Sequence, residues 1–336
     1  LVYTDHHPAP GGDPHDIAFD LKGLPTHGYL HPLNAKQKQE FPEMIGELKG
    51  FSDLQLSIDS FEASALKQKL SKLTPAQIPA FIEQLELFGI YSHGTHVAGI
   101  AARGNPAIRL AVGRITFDWH NIPLPPSEEL SKRDAADDQA YVDWFKRNGI
   151  RVVNMSWGGG PGDFEAALEK NGMGKNAADR KAIAAKLFAI DRAGLYDAIK
   201  SAPGILFICA AGNADSSSSF NEMMPSSFKL PNLLTVGAVD QAGDEASFTS
   251  YGPTVRVDAD GYQVESVVPG GAKLRMSGTS MASPNTVNLA AKLLALNPAL
   301  TPDQVIHLIV AGATTSADGR RHNIDEKRSV ALLHKI

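Results

Sequence analysis

An α/β sandwich of three layers, with a mostly parallel central sheet flanked by helices, is predicted for this chain by three observations. Apolar runs that read as buried strands recur at 108–116, 150–155, 205–211 and 233–239. Helix-forming segments at 127–147, 163–201, 281–296 and 302–312 alternate with or follow them. The hydrophobic content of 43% over 336 residues supports a sizeable core. Strands alternating with helices imply parallel pairing with helices on both faces. Ligands in such sheets gather at the C-terminal strand ends.

Residues 1–35 are rich in Pro, Gly, His and Asp and read as irregular surface structure. Asp13, Asp16 and Asp20 could hold calcium there, but their spacing does not match an EF-hand loop, and a solvated acidic turn accounts for them as well. Residues 36–88 read as a helical insertion, with helices near 36–48, 52–71 and 75–88. Thr74-Pro75 suits an N-cap followed by proline at the first helical position. The insertion carries no evident chemistry and is expected to shape a cleft or contact a propeptide. Residues 122–126 form a Pro-rich loop, and Ser127 caps the helix that follows, with Glu128 and Glu129 in its first turn. Gly172 and Gly174 interrupt the stretch 163–201. A polar loop spans 214–232, β-structure spans 253–276, and Thr301-Pro302-Asp303 starts the helix at 302–312.

Three segments carry chemistry. In Gly278-Thr-Ser-Met-Ala-Ser-Pro284, Ser280 sits between small residues at a predicted helix start. Unpaired N–H groups there favour the negative charge that an attacked carbonyl develops, although an N-capping serine would look the same. In Ser92-His-Gly-Thr-His-Val97, His93 stands where polar sequence gives way to an apolar helix, with the helix starting at that residue. Histidine suits general-base work near neutral pH. The alternatives are a metal pair with His96, or packed histidines, which describes His96 best. In Phe207-Ile-Cys-Ala-Ala-Gly-Asn213, a buried strand ends on an asparagine whose amide can donate to an oxyanion or simply make a turn.

Taken together, His-Gly-Thr-His-Val-Ala-Gly at 93–99, Asn-Met-Ser-Trp-Gly-Gly at 154–159, Ala-Ala-Gly-Asn at 210–213 and Gly-Thr-Ser-Met-Ala-Ser-Pro at 278–284 resemble the subtilisin-like serine peptidases, in that family's order. The resemblance covers roughly 90–315 and implies a subtilisin-like fold in a single domain over 1–336. It implies His93 as general base, Ser280 as nucleophile, Asn213 and the Ser280 N–H as oxyanion donors, and Ser156, Trp157 and Gly158 as a substrate-binding strand. The implied activity is endopeptidase hydrolysis through an acyl-enzyme, needing no cofactor for its chemistry; structural calcium could be held in addition, as many members of the family do. The expected partners are a protein or peptide substrate and the chain's own propeptide or N-terminal fragment. A scaffold that has lost catalysis and a peptide ligase on the same fold are the rival classes.

The aspartate that orients the base in such triads has no Asp-Ser-Gly or Asp-Thr-Gly here. Asp59 precedes His93 at a suitable distance, but Phe51, Leu54, Ile58, Phe61 and Ala65 recur at helical spacing through it. Asp5 ends a short β-prone run but meets His6-His7-Pro8 instead of a glycine turn. The expectation is a processed or truncated chain whose orienting Asp precedes Leu1. A net charge of −5 gives no reason to expect nucleic acid. The single cysteine, Cys209, can form no internal disulfide and reads as a small buried hydrophobe. There is no run of 18 apolar residues to span a membrane and no visible signal peptide; a secreted or periplasmic location is expected.

Overall fold

The computed structural model describes residues 16–335 except 21, 29, 31, 116 and 218–221. In chain order the elements are β1 (Asp16–Ala18), α1 (Ala35–Gln55), α2 (Phe61–Leu70), α3 (Ile78–Ala102), β2 (Val112–Arg114), α4 (Glu128–Arg147), β3 (Val152–Met155), α5 (Pro161–Lys170) and α6 (Ala177–Lys200). There follow β4 (Leu206–Ala210), β5 (Leu233–Val239), β6 (Val255–Asp260), β7 (Val264–Val267), β8 (Lys273–Met276), α7 (Thr279–Leu296), α8 (Pro302–Gly312), β9 (Thr314–Thr315), β10 (His322–Asn323) and α9 (Glu326–Leu333).

The main sheet has the order β3-β4-β5-β6-β10-β9, parallel except where β9 meets β10. Successive side chains of a strand point to opposite faces, and β4 shows the outcome. Leu206 and Ile208 pack with Val97 and Ile100 of α3 and Met281 and Leu289 of α7. Phe207 and Cys209 pack with Tyr141 and Phe145 of α4 and Leu195 and Ile199 of α6. The three expected layers are therefore present. Strand β1 pairs with β2 as a separate parallel pair, and β7 with β8 as an antiparallel one.

Residues 35–102 differ in detail from the sequence-based expectation. Helix α1 runs on to Gln55, started by the reciprocal capping of Asn34 and Gln37. The chain then breaks at Ser57, whose φ of 57° ends the helix, so the helix expected over 52–71 divides into the end of α1 and a separate α2. Nothing interrupts the segment between the expected helix at 75–88 and the histidine segment. One helix of 25 residues covers both, and His93 lies inside it, not at its start. Leu85, Leu87 and Phe88 bury against Phe41, Met44 and Leu66, which gives the inserted helices a small core of their own. Residues 16–35 also hold more order than expected. Asp16 begins β1 and forms a buried ion pair with Arg114 of β2, its Oδ1 2.8 Å from Arg114 Nε. Strands β9 and β10 and helix α9 complete the C-terminal end beyond the last helix that sequence patterning picks out.

Candidate active site

Gly278 precedes α7 with a φ of 146°, a conformation that favours glycine. A side chain there would also come within 3.4 Å of Asn213 Nδ2. Ser280 is the second residue of α7, in the first turn, where backbone N–H groups have no intrahelical acceptor. Its hydroxyl donates to the Ser156 carbonyl at 3.1 Å, and the Ser156 hydroxyl donates to the Ser280 carbonyl at 2.7 Å. Asn154 steadies this exchange. Its Nδ2 donates to Ser156 Oγ at 2.9 Å, and its Oδ1 accepts from Ser283 Oγ at 2.8 Å. Strand β3 and helix α7 are thus pinned together at the serine.

Asn213 follows β4 and is held by its oxygen. Thr279 N and Thr279 Oγ1 both donate to Asn213 Oδ1 at 2.8 Å, and Gly212 N donates to Thr279 Oγ1 at 3.1 Å. With Oδ1 occupied, the Nδ2 donor is the end of the amide left to face the cleft. Sequence reasoning missed Thr279 and Asn154 as positioning residues. Each lies one or two positions from a residue it did single out, but its role depends on contacts across the sheet.

His93, Asn213 and Ser280 line one cleft of about 270 Å³. Helix α1 contributes Leu48, Phe51 and Gln55 to its wall, and Leu56 follows at the helix C-cap, so the inserted helices do shape it. Burial among these apolar neighbours, with His96 close by, pushes the His93 imidazole down to about 4. His96 is fully buried and its Nε2 lies 2.9 Å from the Leu274 carbonyl, as a packed structural histidine. Among the described residues no group of three His, Cys, Asp or Glu side chains could hold a metal ion. Asp16 is engaged by Arg114, and Asp20 accepts from the N–H groups of Lys22 and Leu24; Asp13 lies outside the described residues. Asp59 is exposed on the turn between α1 and α2, away from the buried setting an orienting carboxylate needs, and Asp5 lies outside the described residues. Among the described residues no side chain hydrogen-bonds the His93 imidazole.

Of the expected substrate strand, Ser156 is occupied in fixing Ser280, as above. Gly158 passes so close to Met224 that a Cβ would meet its carbonyl at 2.8 Å. That approach lets Gly159 N donate to Met224 O at 3.0 Å and Met224 N to Gly159 O at 2.9 Å. Trp157 lines a second cavity, together with Met224.

A half-buried serine at a helix N-terminus, an imidazole and an amide donor converging at the C-terminal end of a parallel sheet define a serine hydrolase of the acyl-transfer class. The sequence model of the Subtilase family matches residues 89–326, and the chain belongs to that family. Subtilisin DY of Bacillus licheniformis is 34% identical over 231 residues, covering 67% of this chain and 72% of its own. Subtilisin of Bacillus pumilus is 32% identical over 233 residues, covering 66% and 70%. Among solved structures, the protease domain of PatA superposes with a TM-score of 0.52 at 22% identity, over 73% of this chain and 82% of that one, which supports the fold. The chain is accordingly a serine endopeptidase, acting on peptide substrates. No described helix is long and apolar enough to cross a membrane.

Proposed function

We propose that Ser280 is the nucleophile of peptide-bond hydrolysis, His93 its general base, and Asn213 Nδ2 with the Ser280 N–H the oxyanion donors. The observation that carries this reading is the convergence of His93, Asn213 and Ser280 on one cleft, with the Asn213 amide oriented by Thr279. In the reaction the Ser280 hydroxyl turns from the Ser156 carbonyl toward His93, which takes its proton as Oγ attacks the scissile carbonyl. The tetrahedral oxyanion is then held by the two donors. Collapse releases the amine, which takes its proton from the His93 imidazolium, and water hydrolyses the acyl-enzyme by the same steps.

Ser156, Trp157 and Gly158 flank the bound peptide in this reading. No carboxylate among the described residues is assigned the orienting role beside His93, and Asp5 lies outside them. No cofactor enters the chemistry. The proposed setting is outside the cytoplasm, secreted or periplasmic, with the chain's own propeptide or N-terminal fragment as a partner. A fluorophosphonate probe should label the folded protein at Ser280, and Ser280→Ala should abolish both labelling and cleavage of a denatured protein substrate. Labelling that persists in Ser280→Ala would remove Ser280 from the mechanism.

A further inference from the structure

The second cavity, of about 410 Å³, adjoins the catalytic cleft, and Ile115 and Phe117 line both. Its size is that of a small-ligand site, ~300–1,000 Å³. Trp157 and Tyr141 supply aromatic wall, and aspartates supply much of the rest. Asp134, Asp137 and Asp138 sit at i, i+3 and i+4 of α4, on one face of that helix. Asp191 reaches in from α6. The two helices meet closely because α6 carries Gly194 against Ala135, where a Cβ would stand 2.3 Å from the Ala135 Cβ.

Asp134 is paired with Arg133 at 3.0 Å. Among the described residues, Asp137, Asp138 and Asp191 make no ion pair. Asp191 is only 9% exposed; the Ser131 hydroxyl bonds its carboxyl group, while its Oδ1 is buried with no hydrogen-bond partner among the described residues. A buried, unpartnered carboxylate oxygen facing a cavity is costly without a ligand that donates to it. Burial and the neighbouring aspartates push Asp138 well above the usual carboxylate range, Asp191 to about 7 and Asp137 to about 6.

We propose that this cavity is a subsite for a Lys or Arg side chain of the peptide substrate, received between Asp138 and Asp191 beside Trp157. The proposal rests on the peptidase reading above. The aromatic walls suit the apolar stem of such a side chain, and the carboxylates suit its charged head. A divalent metal fits less well, because no three described acidic or histidine side chains converge as ligands.

The test uses peptides of one sequence in which Lys, Arg or norleucine occupies each position within a few residues of the cleaved bond. At one position the kcat/KM for Lys or Arg should exceed that for norleucine by about tenfold or more, the scale of a charge-assisted hydrogen bond. Asp138→Asn with Asp191→Asn should collapse that ratio toward one. Binding of the same peptides to Ser280→Ala, followed by tryptophan fluorescence, should show the same preference without catalysis. Cleavage with no basic preference at any position overturns the proposal and leaves the peptidase reading intact. Absence of cleavage indicts the peptidase reading, and the binding measurement then decides the subsite. Calcium binding that needs Asp138 and Asp191, without a basic-peptide preference, assigns the cavity to a metal and also overturns the proposal.

Discussion

Thr279 grips Asn213 twice, through its backbone N–H and its hydroxyl, both at 2.8 Å from the same amide oxygen. The residue beside the nucleophile thus sets which end of the asparagine faces the cleft. Asn213→Ala should lower kcat by ~10²–10³ with a smaller change in KM, the usual effect of losing one oxyanion donor. Thr279→Val should lower kcat less, and Thr279→Ser should restore it, because serine keeps the hydroxyl. Steady-state kinetics on one peptide substrate checks all three. Equal loss in Thr279→Val and Thr279→Ser would mean that the hydroxyl does not orient the amide.

His93 and His96 both lie in settings that disfavour the imidazolium, each pushed down to about 4, chiefly by burial. An unfolded histidine titrates near 6.5, so between about 4 and 6.5 the unfolded chain binds more protons than the folded one. The stability these two residues contribute is therefore fully present above the unfolded value and is lost as pH falls through this window. NMR titration of the imidazole signals should give His93 a midpoint near 4. A midpoint near neutrality would show that a carboxylate has come to rest against it.

The inserted helix α1 is wired to the catalytic loop through a buried pair. Lys49 donates to Asp53, which is fully buried, and Asp53 also accepts from Gln263 Nε2 at 3.3 Å. Gln263 N and Nε2 donate in turn to Ser277 Oγ, two residues before Thr279. Asp53→Ala leaves the buried Lys49 ammonium with only the longer Glu62 contact at 4.0 Å and should cost about 3–5 kcal/mol. Adding Lys49→Met should recover most of that. Denaturant unfolding of the two variants checks the sign, and no recovery in the double variant would show that the buried charge is not the cause.

Cys209 is fully buried in β4, its Sγ 3.3 Å from Thr235 Oγ1, and burial pushes its thiol up to about 12. The thiolate is the reactive form, so native protein at pH 8 should resist iodoacetamide. Mass spectrometry should find one alkylated cysteine only after unfolding. Rapid labelling of the native state would contradict the buried position.

Several features of this chain were open to reading from residue order alone. The apolar runs at 150–155, 205–211 and 233–239 became β3, β4 and β5, because strands buried on both faces must be apolar throughout. The serine, asparagine and histidine segments were legible because each needs small residues or glycine within its own few positions. Gly278 shows why, since its φ of 146° favours glycine over any residue with a side chain. The continuity of α3 through His93 was not legible, because its helical periodicity carries no mark distinguishing one long helix from two. What only the tertiary structure decided are relations between residues far apart in the chain. These are Thr279 on Asn213, Asp53 on Gln263, and Asp138 of α4 facing Asp191 of α6. Such pairs arise when packing brings two faces together, and the local spacing of either partner holds no record of the other.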